Sequence, residues 1–379
     1  MFKPFLAGTA IAFFSLMPAH ATPVGATQST PCPFGDCTAG ISLAYAGEFD
    51  IATGTIVDGV EFGGLSGIDF DPATGHYVAI SDDRSEKAPA RFYELQIDAA
   101  ADGIKAVNVL RSVTLKTEKG EAFALKTVDP EAIRLGKDGI FWTSEGDAKQ
   151  LLPPFLRLAG ADGAFVRDFA LPQGFAPTSD NASGIRNNLA FEGLTLLPDG
   201  DAMVQVESSL NQDGPIASLT SGALARMIRY DRLTGEPKAE YVYPIEPISQ
   251  APKTAKGEKG WNDNGVSEIL ALDNHRLLVL ERGFAEGFGN SIRLYMVDTD
   301  GATDVRSVAS LVKAEQPIVP LRKSQVLDLR AMGLAPDNLE GMTFGKGSDG
   351  SDLLIFVSDN NFNPQQKTQF YAFKVLARP

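Results

Sequence analysis

One pattern recurs five times in this chain, and a repeat of this length restricts the fold more than any other feature. Its copies are "LSGIDFDPATGHYVAISD" (65–82), "PEAIRLGKDGIFWTSE" (130–145), "FEGLTLLPDGDAMVQVE" (191–207), "VSEILALDNHRLLVLE" (266–281) and "LEGMTFGKGSDGSDLLIFVSD" (339–359). Aligned on their starts, they place Ser66, Glu131, Glu192, Ser267 and Glu340 at one position, at intervals of 65, 61, 75 and 73 residues. Two and four residues on, the positions are apolar, from Ile68 and Phe70 in the first copy to Met342 and Phe344 in the last. That is the period of a strand. Each copy then turns at a Gly, Asp or Asn cluster and returns as a more hydrophobic strand ending on an acid.

A third strand-like run follows each hairpin: "RFYELQI", "PFLRLAG", "RMIRYD", "SIRLYMVD" and "TQFYAFKV". A fourth follows four of them: "VNVLRSVTL", "FVRDFALP", "AEYVYPI" and "DVRSVASL". The last copy reaches Pro379 without one, while an unpaired run, "ISLAYAGEFDI" (41–51), precedes the first. A circular array in which the N-terminal strand completes the last unit accounts for both facts and removes an open sheet edge. Four-stranded units at this spacing predict an all-β chain, a β-propeller of four-stranded blades. Five repeats fill nearly all of 41–379, and the spacing leaves room for a sixth, divergent blade. One short helix is expected within 310–335.

The flanking segments read differently. Residues 1–21 have the form of a signal peptide: Lys3, an apolar run from Leu6 to Leu16, and Ala19-His20-Ala21 as a small-x-small cleavage site. The apolar run is too short to span a membrane, so a periplasmic or secreted protein is expected, cleaved near Ala21. Residues 22–40 form a leader in which Cys32 and Cys37, the two cysteines of the chain, are expected to pair in an oxidising compartment. Residues 41–379 then form a single propeller domain.

Because paired strands run antiparallel, the start of each first strand lies beside the end of the second. Glu131, Glu192 and Glu340 therefore share one mouth of the predicted channel with Asp82, Glu145, Glu207, Glu281 and Asp359. Crowded carboxylates repel, and a hard cation relieves them; Ca2+ accepts six to eight oxygens with loose geometry, and Mg2+ is second choice. We expect Glu131, Glu192, Glu340, Asp82 and Glu145 as metal ligands, with Glu207, Glu281 and Asp359 as candidate bases. Capping of strand N–H groups by these acids is the competing reading. Arg84, Arg282 and Asn360 follow the second-strand acids and are candidates for binding an anionic group, and Arg186 lies in the loop entering the third repeat. Each arginine has the alternative role of neutralising an acidic neighbour.

Other chemistries find little support. The formal net charge of -14 argues against nucleic acid or an anionic membrane surface. "GGLSGI" (63–68) falls short of a nucleophile elbow, His76 and His275 sit in hairpin turns, and no P-loop or dinucleotide fingerprint calls for an organic cofactor.

"FEGLTLLPDG", "NGVSEILALDNHRLLVLERGF" and the ending "LLIFVSDNNFNPQQKTQFYAF" resemble the bacterial family described as esterase-like activity of phytase, the phytase-like domain proteins. The resemblance covers about residues 42–376. It implies an exported propeller that hydrolyses phosphate or other esters. By analogy, propeller phytases bind several Ca2+ ions at an acidic mouth, and lactonase propellers hold one divalent cation through residues including a Glu placed like Glu192 before Gly193. The phytases' longer aspartate motifs are not found, which argues against phytate itself and leaves a smaller phosphoester or a lactone open. The expectation is thus a metal-dependent hydrolase acting on a small anionic or ester substrate, with a non-catalytic binding propeller or a lactonase-like hydrolase as alternatives.

Overall fold

The computed structural model describes residues 22–35, 37, 39–255 and 258–379. The signal-peptide reading of residues 1–21 lies outside the described residues. Five antiparallel blade sheets follow one another along the chain, and a two-stranded hairpin, Ile56–Val57 with Val60–Glu61, precedes the first. From inner to outer strand, blade 1 comprises Leu65–Asp71, His76–Ser81, Arg91–Ala100 and Gly103–Thr114. Blade 2 comprises Pro130–Gly136, Gly139–Ser144, Phe155–Ala159 and Phe165–Asp168. Blade 3 comprises Phe191–Leu196, Ala202–Val206, Ala223–Tyr230 and Pro237–Ile245. Blade 4 comprises Asn262–Ala271, Arg276–Ala285, Gly289–Asp298 and Arg322–Asp328. Blade 5 has Asn338–Lys346, Asp352–Asp359 and Lys367–Ala377, and is completed by Ile41–Ala52 from the N-terminal side.

The inner strands touch in the cyclic order 1, 2, 3, 4, 5 and back to 1, so the ring closes with five blades, and no sixth is found among the described residues. Closure couples the two ends of the domain by strand pairing from Ser42↔Ala377 to Ala52↔Lys367. Thr27–Thr30 adds a fifth strand outside Ile41–Ala52, and Cys32 and Cys37 are disulfide-bonded with their Cα atoms 5.8 Å apart.

Both faces of a blade are buried, which explains second strands that carry consecutive apolar residues instead of strict alternation. In "GIFWTS", Trp142 packs with Ile80 and Phe92 of blade 1, whereas its neighbour Phe141 packs with Phe191 and Val204 of blade 3. Successive strand residues point to opposite faces, so each serves a different seam. Each such fully buried side chain contributes about 1.5–3 kcal/mol.

Blade 4 departs from the sequence expectation. "DVRSVASL" is not its outer strand; Arg322–Asp328 is. The segment instead crosses the outer strand of blade 3, where Val305 donates its N–H to Glu240 O and is buried with Val242 and Leu311. The expected helix is reduced to one 3-10 turn at Leu311–Lys313. Apolar residues at Val305, Val308 and Leu311 recur every three residues, a spacing that suits this strap better than a strand.

Candidate functional site

The recurring position proves to be a β-bulge in every blade. Pairing slips between Leu65 and Gly67, Pro130 and Ile133, Phe191 and Leu194, Val266 and Glu268, and Leu339 and Gly341. The residue at or opening each slip is Ser66, Glu131, Glu192, Ser267 or Glu340. A bulge re-aims its side chain out of the regular alternation. The residue after it must be small wherever neighbouring inner strands meet closely. A Cβ on Gly193 would come within 2.8 Å of Ile269 N, and one on Gly67 within 2.8 Å of Glu131 O.

Below the bulges the channel is closed by an ion pair that the sequence reading did not single out. Arg134 of blade 2 lies 2.8 Å from Glu268 of blade 4, and both are buried. Arg134 donates to the carbonyls of Ile68, Ile133, Ile269 and Met342 at 2.5–3.2 Å. Glu268 Oε1 accepts the N–H groups of Leu194 and Ile269. All five inner strands are therefore tied to one buried pair. The acids above it face a closed floor and a cleft of about 980 Å3.

Two overlapping groups of carboxylates stand at this mouth: Asp129, Glu131 and Glu145, then Glu145, Glu192 and Glu207. All are buried, and within each group one oxygen per residue lies within 4.8 Å of the others. Glu145 belongs to both and accepts the Ala190 N–H at 2.6 Å. Ser66 Oγ lies 2.6 Å from Glu131 and 3.0 Å from Glu340, two carboxylates competing for one hydroxyl proton. Asn338 donates to Glu340 at 2.9 Å and to Asp359 at 3.3 Å. Gly64, at φ 67°, makes room for Asp82, since a Cβ there would meet Asp82 Oδ1 at 2.3 Å.

Burial and mutual repulsion push these acids upward together. Burial first, then neighbouring carboxylates, raise Glu131, Glu145, Glu192 and Asp82 well above the ordinary range. Burial takes Asp129 and Glu207 to about 7, although Arg84 and Arg282 respectively pull the other way. Burial and Glu340 bring Asp359 to about 8.

Not every expected residue joins the ring. Glu281 is set apart: its carboxylate accepts from Tyr243 at 2.8 Å, Asn264 at 2.9 Å and Lys323 at 2.5 Å, and it does not line the cleft. Of the other second-strand acids, Asp82 and Asp359 line the cleft, and Glu145 and Glu207 stand behind it, grouped with the cleft-lining Glu131 and Glu192, while in blade 4 Lys323 and Tyr243 enclose Glu281. Asn360 is also displaced; its Oδ1 accepts the Gly64 and Phe362 N–H groups inside the loop, and Asn361 faces the cleft instead. Arg84 and Arg282 do line it, each bound to acids. Arg84 lies 2.7 Å from Asp147 and 3.4 Å from Asp129; Arg282 lies 3.0 Å from Glu207 and 3.6 Å from Glu340. Asp129 was missed, although it stands two residues before Glu131, the spacing that puts strand residues on one side.

The donor set is oxygen throughout, which suits a hard divalent cation. One atom tests the fit directly. Glu207 is 5% exposed, and its Oε2 is buried inside the second carboxylate group with no N–H or hydroxyl donor to it, Glu192 being the neighbour with which Glu207 shares a proton. An orphaned carboxylate oxygen is costly, and a cation at that position would satisfy it.

Among solved structures, the fold is similar to an endo-1,4-β-xylanase from Bacteroides thetaiotaomicron, with TM-score 0.43 and 8% identity over 84% of this chain and 96% of the other. It is also similar to an α-L-arabinofuranosidase from Lactobacillus brevis, with TM-score 0.45 and 9% identity over 87% and 95%. In sequence, the chain is 30% identical over 181 residues to an uncharacterized secreted protein of Arthroderma benhamiae. That match takes in 41% of this chain and 34% of the relative, about a third of its length. A family model matches residues 60–362, from the threshold of blade 1 to the loop after the second strand of blade 5, and the chain belongs to the phytase-like family described as esterase-like activity of phytase.

Proposed function

We propose that this protein is an exported, metal-dependent hydrolase of phosphate or other esters, with Ca2+ the preferred ion and Mg2+ second. The observation that carries the reading is the orphaned Glu207 Oε2 within two carboxylate groups that share Glu145. Export is supported by the Cys32–Cys37 disulfide. Among the described residues no helix is long and apolar enough to cross a membrane.

Asp129, Glu131, Glu145, Glu192 and Glu207 would hold the ion, with Asp82 and Glu340 at the edge of the group. When bound, a divalent ion supplies Lewis-acid polarisation of an ester oxygen and acidification of a water. Asp129 and Glu207, raised to about 7, would be occupied by the ion, which leaves Asp359, raised to about 8, as the acid outside the ion-holding groups that can take up and release a proton near neutral pH. Arg282 keeps Glu207 and Glu340 at fixed separation, and Arg84 does the same for Asp129 and Asp147. Both arginines, with Lys87, also bring positive charge to a mainly acidic cleft that an anionic substrate must enter.

The test is metal analysis of protein purified without chelators, then assays on phosphomonoesters, carboxyl esters and lactones with Ca2+ or chelator. Chelator and the double substitution Glu192→Gln, Glu207→Gln should each abolish turnover; turnover indifferent to both would refute the reading. A second reading, a binding propeller without catalysis, is favoured by the cleft lining, which contains neither histidine nor cysteine. His76 and His275 lie at the opposite end, bonded to Glu94 and Asp298. Tight Ca2+ binding with no turnover on any ester would establish that alternative.

A further inference from the structure

Beside the acidic cleft lies a second cavity of about 620 Å3 with a different electrostatic character. It sits between the loop after Glu145 and the long loop that leads into blade 3. Lys149 and Arg186 line it together with the polar side chains of Thr178, Asn181, Asn187 and Asn211. Both loops are anchored to the carboxylate ring: Asp147 binds Arg84, Ala190 donates to Glu145, and Asn188 lines the main cleft.

Among the described residues, Arg186 differs from the two arginines of the mouth in having no acidic partner. It is half-buried, and its Nε and Nη2 donate to the carbonyls of Ser209 at 2.9 Å and Gly214 at 2.8 Å. Those carbonyls orient the guanidinium without neutralising it. Burial alone therefore moves its pKa, downward, whereas Arg282 is raised by Glu340 and Glu207 against its own burial. The acid of the same loop, Asp180, turns back on itself to accept the Ala182 N–H. In a chain of net charge -14, a partly desolvated and uncompensated arginine beside a lysine is an electrostatic exception.

We propose that this cavity is an anion subsite, in which Arg186 and Lys149 hold a phosphate or carboxylate group of the substrate while its ester lies at the acidic mouth. With Nε and one Nη2 hydrogen given to the Ser209 and Gly214 carbonyls, the Nη1 hydrogens and the second Nη2 hydrogen of the fixed guanidinium remain for a tetrahedral or planar oxyanion, and the surrounding amides supply neutral donors. Pairing with the ester site rests on the hydrolase reading above; anion binding itself does not. The substrate class implied is an ester carrying a second acidic group, not a simple alkyl ester.

The probe is inorganic phosphate, titrated calorimetrically into chelator-treated full-length mature protein, with succinate as the carboxylate arm. Arg186→Gln should weaken the preferred anion by about tenfold or more, and Arg186→Lys by less, because charge is kept while the fork is lost. Lys149 is exposed, so Lys149→Gln tests the cavity without disturbing the carbonyls that Arg186 anchors, and it should weaken binding severalfold. Binding that survives both glutamine variants, or that is lost in Glu207→Gln and kept in Arg186→Gln, would overturn the subsite. Arg186-dependent binding in a protein inactive on every ester would uphold the subsite and remove the hydrolase reading instead.

Discussion

The Arg134–Glu268 pair makes a sharp demand on stability. In Arg134→Met the protein keeps a side chain of similar length but leaves Glu268, which is 0% exposed, without its cation. Four inner-strand carbonyls also lose their shared donor. Breaking one side of a buried pair costs about 3–5 kcal/mol, and the lost carbonyl bonds move the expectation toward the upper end. The cost should also depend on pH. Burial has already raised Glu268 to about 7, with Arg134 the main influence holding it down. Without Arg134 its folded-state pKa climbs further above that of the unfolded chain. A raised carboxyl contributes stability below the unfolded pKa and loses it as pH rises through the folded pKa. The variant should therefore fall further behind the native protein above pH 7, by up to about 1.4 kcal/mol per pH unit. Urea unfolding at pH 6, 7.5 and 9, followed by the fluorescence of buried Trp142, measures this. Adding Glu268→Gln keeps an acceptor for the Leu194 and Ile269 N–H groups and should remove the pH-dependent part. An Arg134→Met cost below about 1 kcal/mol that does not change with pH would refute the description of the floor as one charged keystone.

Other consequences are open to direct measurement. Glu207 and Asp129 are raised to about 7 and Asp359 to about 8, so metal-free protein should lose stability as pH rises from about 4.5 to 8. A thermal shift by Ca2+ should accordingly be larger at pH 8 than at pH 5, and equal shifts would contradict a carboxylate-held ion. Gly64→Ala should cost about 1–3 kcal/mol and weaken ion binding, because a Cβ at φ 67° displaces Asp82. Gly75→Ala, at φ 75° with open space around it, should cost only the backbone strain and leave ion binding unchanged. Deleting residues 22–52 uncovers the edge of Lys367–Ala377 and should yield aggregated protein on size-exclusion chromatography, whereas a soluble monomer would show that closure is dispensable.

Much of the fold was legible in the sequence because the blade is a local object. Alternating apolar positions, Gly/Asp turns and hydrophobic return strands all act within about twenty residues, and five copies reinforce one another. Closure by Ile41–Ala52 was legible too, since one unit lacked a strand and another run lacked a partner. The exception was blade 4, where "DVRSVASL" answers to the surface of blade 3 and not to its own sheet. At the site, the ring of acids followed from register, but its membership did not. Glu281 occupies the same position in the repeat as Glu145 and Glu207, yet Lys323 and Tyr243 converge on it from strands far away in sequence.

The sequence by itself determined the repeating blade, the closure by the N-terminal strand and the mouth at which the carboxylates gather, because strand period and antiparallel pairing place those features within a single repeat, whereas contact between the first and last inner strands settled five blades against six. Tertiary structure alone decided which acids are crowded and which are neutralised, that Arg134 and Glu268 close the channel beneath them, and that Arg186 stands without a carboxylate. Those outcomes depend on distances between blades, and an electrostatic interaction is set by the charges that packing brings within a few ångströms, wherever they lie along the chain.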